Sequence, residues 1–378
     1  MSEYKKLRDI AIVAAGQGAP QGENNYTDTG IPFIKAGNLV ELLSGKKESD
    51  VQKVNESVAR KYRLKLYPAG TILFAKSGMS CMKGYVYRLQ SDCYVVSHLA
   101  CITPFGVSGE YLKYYFEYHS PNMLVKDEAY PSISLSDIGN LDIKVASITE
   151  QEEVVDRLAR IRRVIRYRRN QIKKIDNLVK SQFIEMFEGE KYPDCPIKEL
   201  VAGQVESVRK RYKPDDRIHY VDISSIDNKL NQMTGYTEYR LQEAPSRAQQ
   251  CIVKGDILVS TVRPNLRNIA MNTFDDDHMV ASSGFCVLRA TSCNRSYLLV
   301  ALLLDRFSRK MSELTTGANY PAIKDSDVLG YRIPRPPIEM QNKFAHFVEQ
   351  TDKSKFRIKQ SLEKLEILYK ALLQKYFG

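Results

Sequence analysis

Hydrophobic positions recur along residues 149–187 in an alternation of four and three. Val154, Leu158, Ile161, Ile165, Arg168, Ile172, Ile175, Val179, Gln182 and Met186 form one seam, apolar at most positions, in a stretch without Gly or Pro. This heptad pattern predicts one long helix that packs on another helix. At ~1.5 Å per residue it runs roughly 57 Å, which suits a spacer better than one element of a small core. The seam returns 190 residues later as Phe344, Val348, Thr351, Lys355, Ile358, Leu362, Leu365, Tyr369, Leu372 and Tyr376, inside Ile338–Phe377. Leu158, Ile161, Ile165, Ile172, Ile175 and Val179 are therefore expected to pair with Ile358, Leu362, Leu365 and Leu372.

The offset holds beyond the helices. Leu7-Arg8-Asp9-Ile10 matches Ile197-Lys198-Glu199-Leu200, and Tyr130-Pro131-Ser132-Ile133 matches Tyr320-Pro321-Ala322-Ile323. Ser136-Asp137, Gln151 and Phe187 match Ser326-Asp327, Gln341 and Phe377. The pattern is a tandem duplication of a globular unit followed by a long helix, with expected boundaries 1–148, 149–190, 191–337 and 338–378. Each unit reads as α+β. In the first, short strands are expected at Ile31–Leu39, Thr71–Ala75, Gly84–Leu89, Cys93–Ile102 and Leu141–Val145, with helices at Ser57–Leu66 and Tyr111–His119 and a charged loop at Leu42–Asn55. In the second, Gly255–Thr261 corresponds to Gly70–Lys76, Ala281–Arg289 reads as one apolar strand, and Ser296–Leu314 as one helix.

Composition narrows the class. The 378 residues are 43% hydrophobic, enough for sizeable cores, and the net charge of +11 favours a polyanionic partner, nucleic acid before membrane. No run of ~18 apolar residues exists and Met1–Leu7 is polar, so a cytoplasmic protein is expected. Seven cysteines without a C-x-x-C pair fit inert thiols in a reducing compartment.

Catalytic constellations are scarce. Gly45-Lys46-Lys47 lacks the remainder of a phosphate-cradling loop, and the five histidines are scattered, so no metal site is expected. Arg335-Pro336-Pro337-Ile338 has the prolines of a base-methylation motif but not the polar group that would hold the amino nitrogen. Pro214-Asp215 with Asp227-Asn228-Lys229 loosely fits a metal-dependent nuclease, in which two carboxylates hold Mg²⁺ and a lysine helps activate water. Asp227-Asn228 is equally ordinary turn chemistry, and the first repeat has no equivalent.

Basic, amide-rich loops in corresponding places offer a different chemistry. The first unit presents Lys35, Asn38, Lys76, Ser77 and Lys83; the second presents Ser224, Ser225, Ser260, Thr261, Arg263, Asn265, Arg267 and Asn268, with Thr316, Asn319 and Tyr320 on a further loop. Arg pairs bidentately with guanine and Asn with adenine, whereas Lys, Ser and Thr mostly meet phosphate. Seven arginines between Arg157 and Arg169 suit a solvated coil face, DNA phosphate or an acidic partner. Arg168 and Lys355 interrupt the seams, and Arg168 is expected to need a carboxylate across the coil.

So arranged, the chain resembles the specificity subunit of type I restriction–modification enzymes over essentially its whole length. The resemblance is carried by Gly255-Asp256-Ile257-Leu258 with Gly70-Thr71-Ile72-Leu73, by the two Tyr-Pro-x-Ile loops, and by Ile333-Pro334-x-Pro336-Pro337-x-Glu339-x-Gln341, of which the first repeat keeps Ile148-Thr149-Glu150-Gln151. It implies two target recognition domains, each reading one half of a split double-stranded DNA target, with two antiparallel helices setting the gap. It also implies no catalysis and no cofactor on this chain. Two modification subunits using S-adenosylmethionine would dock on it, and restriction subunits using ATP and Mg would join them. The alternatives are the stand-alone nuclease of Asp215, Asp227 and Lys229, and a basic coiled-coil scaffold binding without sequence preference.

Overall fold

The computed structural model describes residues 3–189, 191–316 and 321–378. Two helices of 40 residues, Ile148–Phe187 and Ile338–Phe377, dominate the chain. Every seam position of both is buried or half-buried, while the neighbouring charged positions are mostly exposed. The chain divides into two compact units, Met1–Arg168 with Ser361–Gly378, and Arg169–Gln360. The division falls inside both long helices, so each unit is a globular body with half of each helix.

In the first unit a four-stranded antiparallel sheet runs in the order Ala11–Ala15, Leu99–Pro104, Ile72–Ala75, Val86–Arg88. A second sheet pairs Ile31–Ile34 antiparallel with Lys53–Val54 and parallel with Tyr94–Val95. The ends of the body are joined by Glu3–Lys6 against Asp142–Val145. Helix Gly109–Tyr118 buries Tyr111, Leu112, Tyr115 and Phe116 against the first sheet and the C-terminal turn of the second long helix. There the Tyr111 and Phe377 rings lie 5.0 Å apart.

The second unit repeats this frame. Ile257–Ser260 is paired antiparallel with Ile269–Met271 and Phe285–Leu288, Arg217–Val221 runs parallel to Met279–Ser282, and Asp194–Pro196 closes on Arg332–Pro334. Phe187 packs edge-on to Tyr297, with 5.0 Å between centroids, as Phe377 packs on Tyr111. Between residues 222 and 251 this unit carries strands Ile226–Asp227, Gln232–Met233, Thr237–Arg240 and Ala248–Cys251; the first unit has helices Asn38–Leu43 and Glu56–Lys61 in the matching region, and its strand Lys53–Val54 pairs with Ile31–Ile34 as Thr237–Arg240 pairs with Arg217–Val221.

Buried glutamines tie the bodies to the helices in the same way twice. Gln151 Oε1 accepts from Ser108 N–H at 2.8 Å, and its Nε2 donates to Ala146 O at 2.8 Å. Gln341 does the same with Asn294 N–H at 2.8 Å and Pro336 O at 2.9 Å. Ser108 and Asn294 are themselves the N-caps of helices Gly109–Tyr118 and Arg295–Leu303.

Some elements differ from the sequence reading. Ala281–Arg289 is two strands, Met279–Ser282 and Phe285–Leu288, in different sheets. Cys93–Ile102 divides in the same way into Tyr94–Val95 and Leu99–Pro104. Burial on both faces makes each pair look like one apolar run. Ser296–Leu314 is two helices, Arg295–Leu303 and Asp305–Glu313, separated by a buried, extended Leu304. Leu42–Asn55 is not simply a loop: it contains the buried Glu48, whose carboxylate accepts from Gln90 N–H, Ser91 N–H and the Tyr87 hydroxyl at 2.7, 2.8 and 3.0 Å.

Candidate nucleic-acid interface

The central strands Ile72–Ala75 and Ile257–Ser260 are buried along their whole length, and each delivers the chain to a surface loop. The two loops are held by the same bonds. Gly78 N–H donates to Pro131 O at 2.9 Å, and Ile133 N–H to Lys76 O at 2.8 Å. Arg263 N–H donates to Pro321 O at 2.8 Å, and Ile323 N–H to Thr261 O at 2.9 Å. The Tyr-Pro-x-Ile repeat is thus a clamp on the loop that follows the strand. Within each loop the chain turns through a left-handed residue, a short 3₁₀ turn and a second left-handed residue before the next strand. In the first unit these are Gly78 (φ +74°), Cys81–Lys83 and Gly84 (φ +60°); in the second, Arg263 (φ +49°), Pro264–Leu266 and Arg267 (φ +55°). A non-glycine residue held left-handed costs roughly 1–2 kcal/mol, so the second loop holds two arginines where the backbone favours glycine.

Around the first loop Lys83 is exposed and Lys76 half-buried, beside an exposed Met79 and a Tyr130 that is 83% exposed. Ser77 Oγ shares a hydrogen bond of 2.8 Å with His98 Nδ1. Lys35 lies 4.3 Å over the Tyr26 ring and donates to Gln52 Oε1. Asn38 serves its own turn, accepting from Lys35 N–H and donating to Glu41.

In the second unit Arg263 and Asn265 are exposed, and Thr316 is exposed beside its bridge to Ala322. Arg267 is half-buried and pairs with Asp305 at 2.7 Å, which holds the Asp305 carboxyl below its usual range. Five of the other candidates have places within the fold. Ser260, Thr261 and Asn268 are buried, and the Ser260 and Thr261 hydroxyls donate to Val262 O and Gly284 O at 2.8 and 3.0 Å. They build the root of the loop and do not reach its face. Ser224 and Ser225 bond to the Asp222 carboxylate, capping a 3₁₀ turn. Asn319 and Tyr320 lie outside the described residues.

The nuclease candidates are engaged in turn chemistry. Asp227 Oδ1 accepts from Lys229 and Leu230 N–H at 2.8 and 3.0 Å, and Asp215 accepts from Gln242. Among the described residues no group of three potential metal-ligating side chains converges. Burial, the largest cause, pushes the Cys93, Cys101, Cys286 and Cys293 thiols up to about 12, which makes them poor nucleophiles at neutral pH.

The helices carry their own polar features. Lys355, in the second seam, forms an ion pair with Asp176 of the first helix. Arg162 reaches Glu117 at 2.6 Å, and Glu117 also accepts from the Tyr369 hydroxyl at 2.6 Å. Arg157 and Arg160 pair along their own helix with Glu153 and Asp156, while Arg163 and Arg166 are exposed. Apolar side chains are exposed on both helices, among them Val164, Tyr167, Ile367 and Leu368. Among the described residues no helix is long and apolar enough to cross a membrane.

Comparison with known proteins places these features in a family. The family model described as the type I restriction modification DNA specificity domain matches residues 1–177 and 208–367. The type I restriction enzyme MjaIX specificity subunit of Methanocaldococcus jannaschii is 33% identical over 145 residues, 36% of this chain. The chain spans only 32% of that relative's length in the match. The S subunit of a type I system from M. genitalium gives a TM-score of 0.55 at 13% identity, covering 100% of this chain and 96% of that one. A chain from a type I system described through its complex assembly and conformational transition gives 0.55 at 16% identity, covering 100% and 97%. At these identities the likeness to solved structures is one of fold.

Proposed function

Since the chain belongs to the type I restriction modification DNA specificity family, we propose that it is the DNA-specificity subunit of such an enzyme and that each unit reads one half of a split target. The observation that carries this reading is the pair of clamped loops. Each follows the central strand of its sheet and is held by the same bonds to a Tyr-Pro-x-Ile segment. Two such loops on one chain form a bivalent reader, whose half-site spacing follows from the helices. The exposed Lys83, Arg263 and Asn265 supply phosphate and base-edge chemistry, and the net charge of +11 supplies sequence-independent attraction.

The chain itself performs no bond-making step in this reading. Two modification subunits carry S-adenosylmethionine and methylate adenine, and restriction subunits carry ATP and Mg, all acting on cytoplasmic DNA. The helices and their exposed apolar positions Val164, Tyr167, Ile367 and Leu368 offer the modification subunits a docking surface. The test is selection from a random duplex library by the chain co-produced with its modification subunits, at rising salt. One gapped motif is expected, with affinity falling steeply as salt increases. Retention of DNA without a sequence preference would favour the scaffold reading instead.

A further inference from the structure

We infer that each unit grips the DNA phosphate backbone at a second place beside its clamped loop, through Arg63 and Lys65 in the first unit and Arg247 in the second. The inference rests on the proposed function and adds to it a contact that does not depend on sequence. Its ground is the turn at which the chain crosses from one sheet to the other, 96–98 in the first unit and 283–284 in the second. On one side this turn holds the clamped loop: Lys76 N–H donates to His98 O at 2.9 Å, and Thr261 N–H to Gly284 O at 3.0 Å. On the other side Ser97 N–H donates to Gln17 O at 2.8 Å, and Ser283 N–H to Arg247 O at 2.8 Å. The offset of 190 residues does not relate Gln17 to Arg247, so unrelated segments support the same turn in the two repeats.

Both segments bring an exposed cation to the turn. In the second unit it is Arg247 itself. In the first it is Lys65, whose N–H donates to Gln17 Oε1 at 3.1 Å, with the exposed Arg63 two residues before it. Among the described residues none of the three forms an ion pair. Lys65 Nζ lies 5.5 Å from the Tyr67 ring centroid, a contact that leaves its charge uncompensated. Arg63 is left-handed (φ +50°) at the end of helix Glu56–Lys61, where Leu64 N–H reaches back to Ala59 O at 2.9 Å and Arg63 N–H to Arg60 O at 3.1 Å. That capping geometry favours glycine, and a left-handed arginine costs roughly 1–2 kcal/mol. Uncompensated cations delivered to one place by unrelated segments point to a shared anionic ligand, and one is held there against backbone preference. The chemistry is that of phosphate. Lysine serves in one unit where arginine serves in the other, and a phosphate oxygen accepts from either, whereas a bidentate base edge calls for the guanidinium fork.

The experiment uses the full chain assembled with its modification subunits. Binding is measured across a range of salt to the cognate duplex and to single-pair variants of both half-sites, for wild type, Arg63→Gly, Lys65→Gln, Arg247→Gln and Arg247→Lys. Arg63→Gly, Lys65→Gln and Arg247→Gln are each expected to bind roughly 2- to 5-fold more weakly. The loss should be the same on every duplex, and the slope of log affinity against log salt should become shallower by about 1 for each variant. Arg247→Lys should keep most of the affinity and the wild-type slope. Arg63→Gly should melt at or above the wild-type temperature while binding DNA less well, because its capping position favours glycine. A loss confined to one base pair, in Arg247→Lys as in Arg247→Gln, identifies a base contact and overturns the inference. Weakening by the variants of one unit alone overturns the shared position. Unchanged affinity and slope in all of them overturns the inference while leaving the proposed function intact. A wild-type complex with no split target overturns both.

Discussion

At the scale of residues, the two repeats solve the same problems with different chemistry. Asp256 is buried and accepts two hydrogen bonds from Arg289, at 2.9 and 2.8 Å, and one from Val253 N–H. In the first repeat the Thr71 and Thr103 hydroxyls meet at 3.0 Å in the equivalent place. Asp256→Ala strands a charged donor and three hydrogen bonds, so it should cost roughly 2–3 kcal/mol in denaturant unfolding. Gln341→Ala breaks the tie between the Asn294 cap and Pro336 O and should cost about 1–3 kcal/mol by the same measurement. The Gln151 and Gln341 match is legible in the sequence, but its structural purpose is not. Ser260, Thr261 and Asn268 show why side-chain type misleads: hydroxyls and amides suit turns as well as base edges, and burial is not written in residue type.

At the scale of elements, the long helices are the most legible part of the chain. A four-and-three spacing without Gly or Pro leaves little else for such a segment to form. Strands that pass from one sheet to another are the least legible, since both halves are buried and alternation vanishes. The seam lysine is explained by Asp176, a residue off the seam that periodicity does not single out. Asp176→Ala leaves the ammonium of Lys355, whose side chain is 13% exposed, without its carboxylate. It should cost about 1–3 kcal/mol, and adding Lys355→Leu should recover most of the loss in a double-mutant cycle. The helices also carry a functional prediction. Removing seven residues from each at matched seam positions shortens them by about 10 Å, near the rise of three base pairs. The methylated motif should keep both half-sites and lose about three base pairs of gap. A change within a half-site would contradict the spacer role.

At the scale of the whole molecule, the offset of 190 residues makes the duplication legible in the sequence alone. Strands Ile226–Asp227, Gln232–Met233 and Ala248–Cys251 of the second unit are not legible in that offset, because the matching stretch of the first repeat holds helices Asn38–Leu43 and Glu56–Lys61. Each unit has its own buried core, so a recognition body should be exchangeable. Replacing residues 4–148 with the matching segment of another family member should change one half-site alone. The central claim is that this chain selects a split DNA target for methylation. It is tested most directly by mapping adenine methylation across the host genome, at single-molecule resolution, with and without this gene. Loss of one gapped motif on deletion, with every other modified site intact, is the predicted result. A map unchanged by the deletion, in cells shown to express the chain and its modification subunits, would contradict the account.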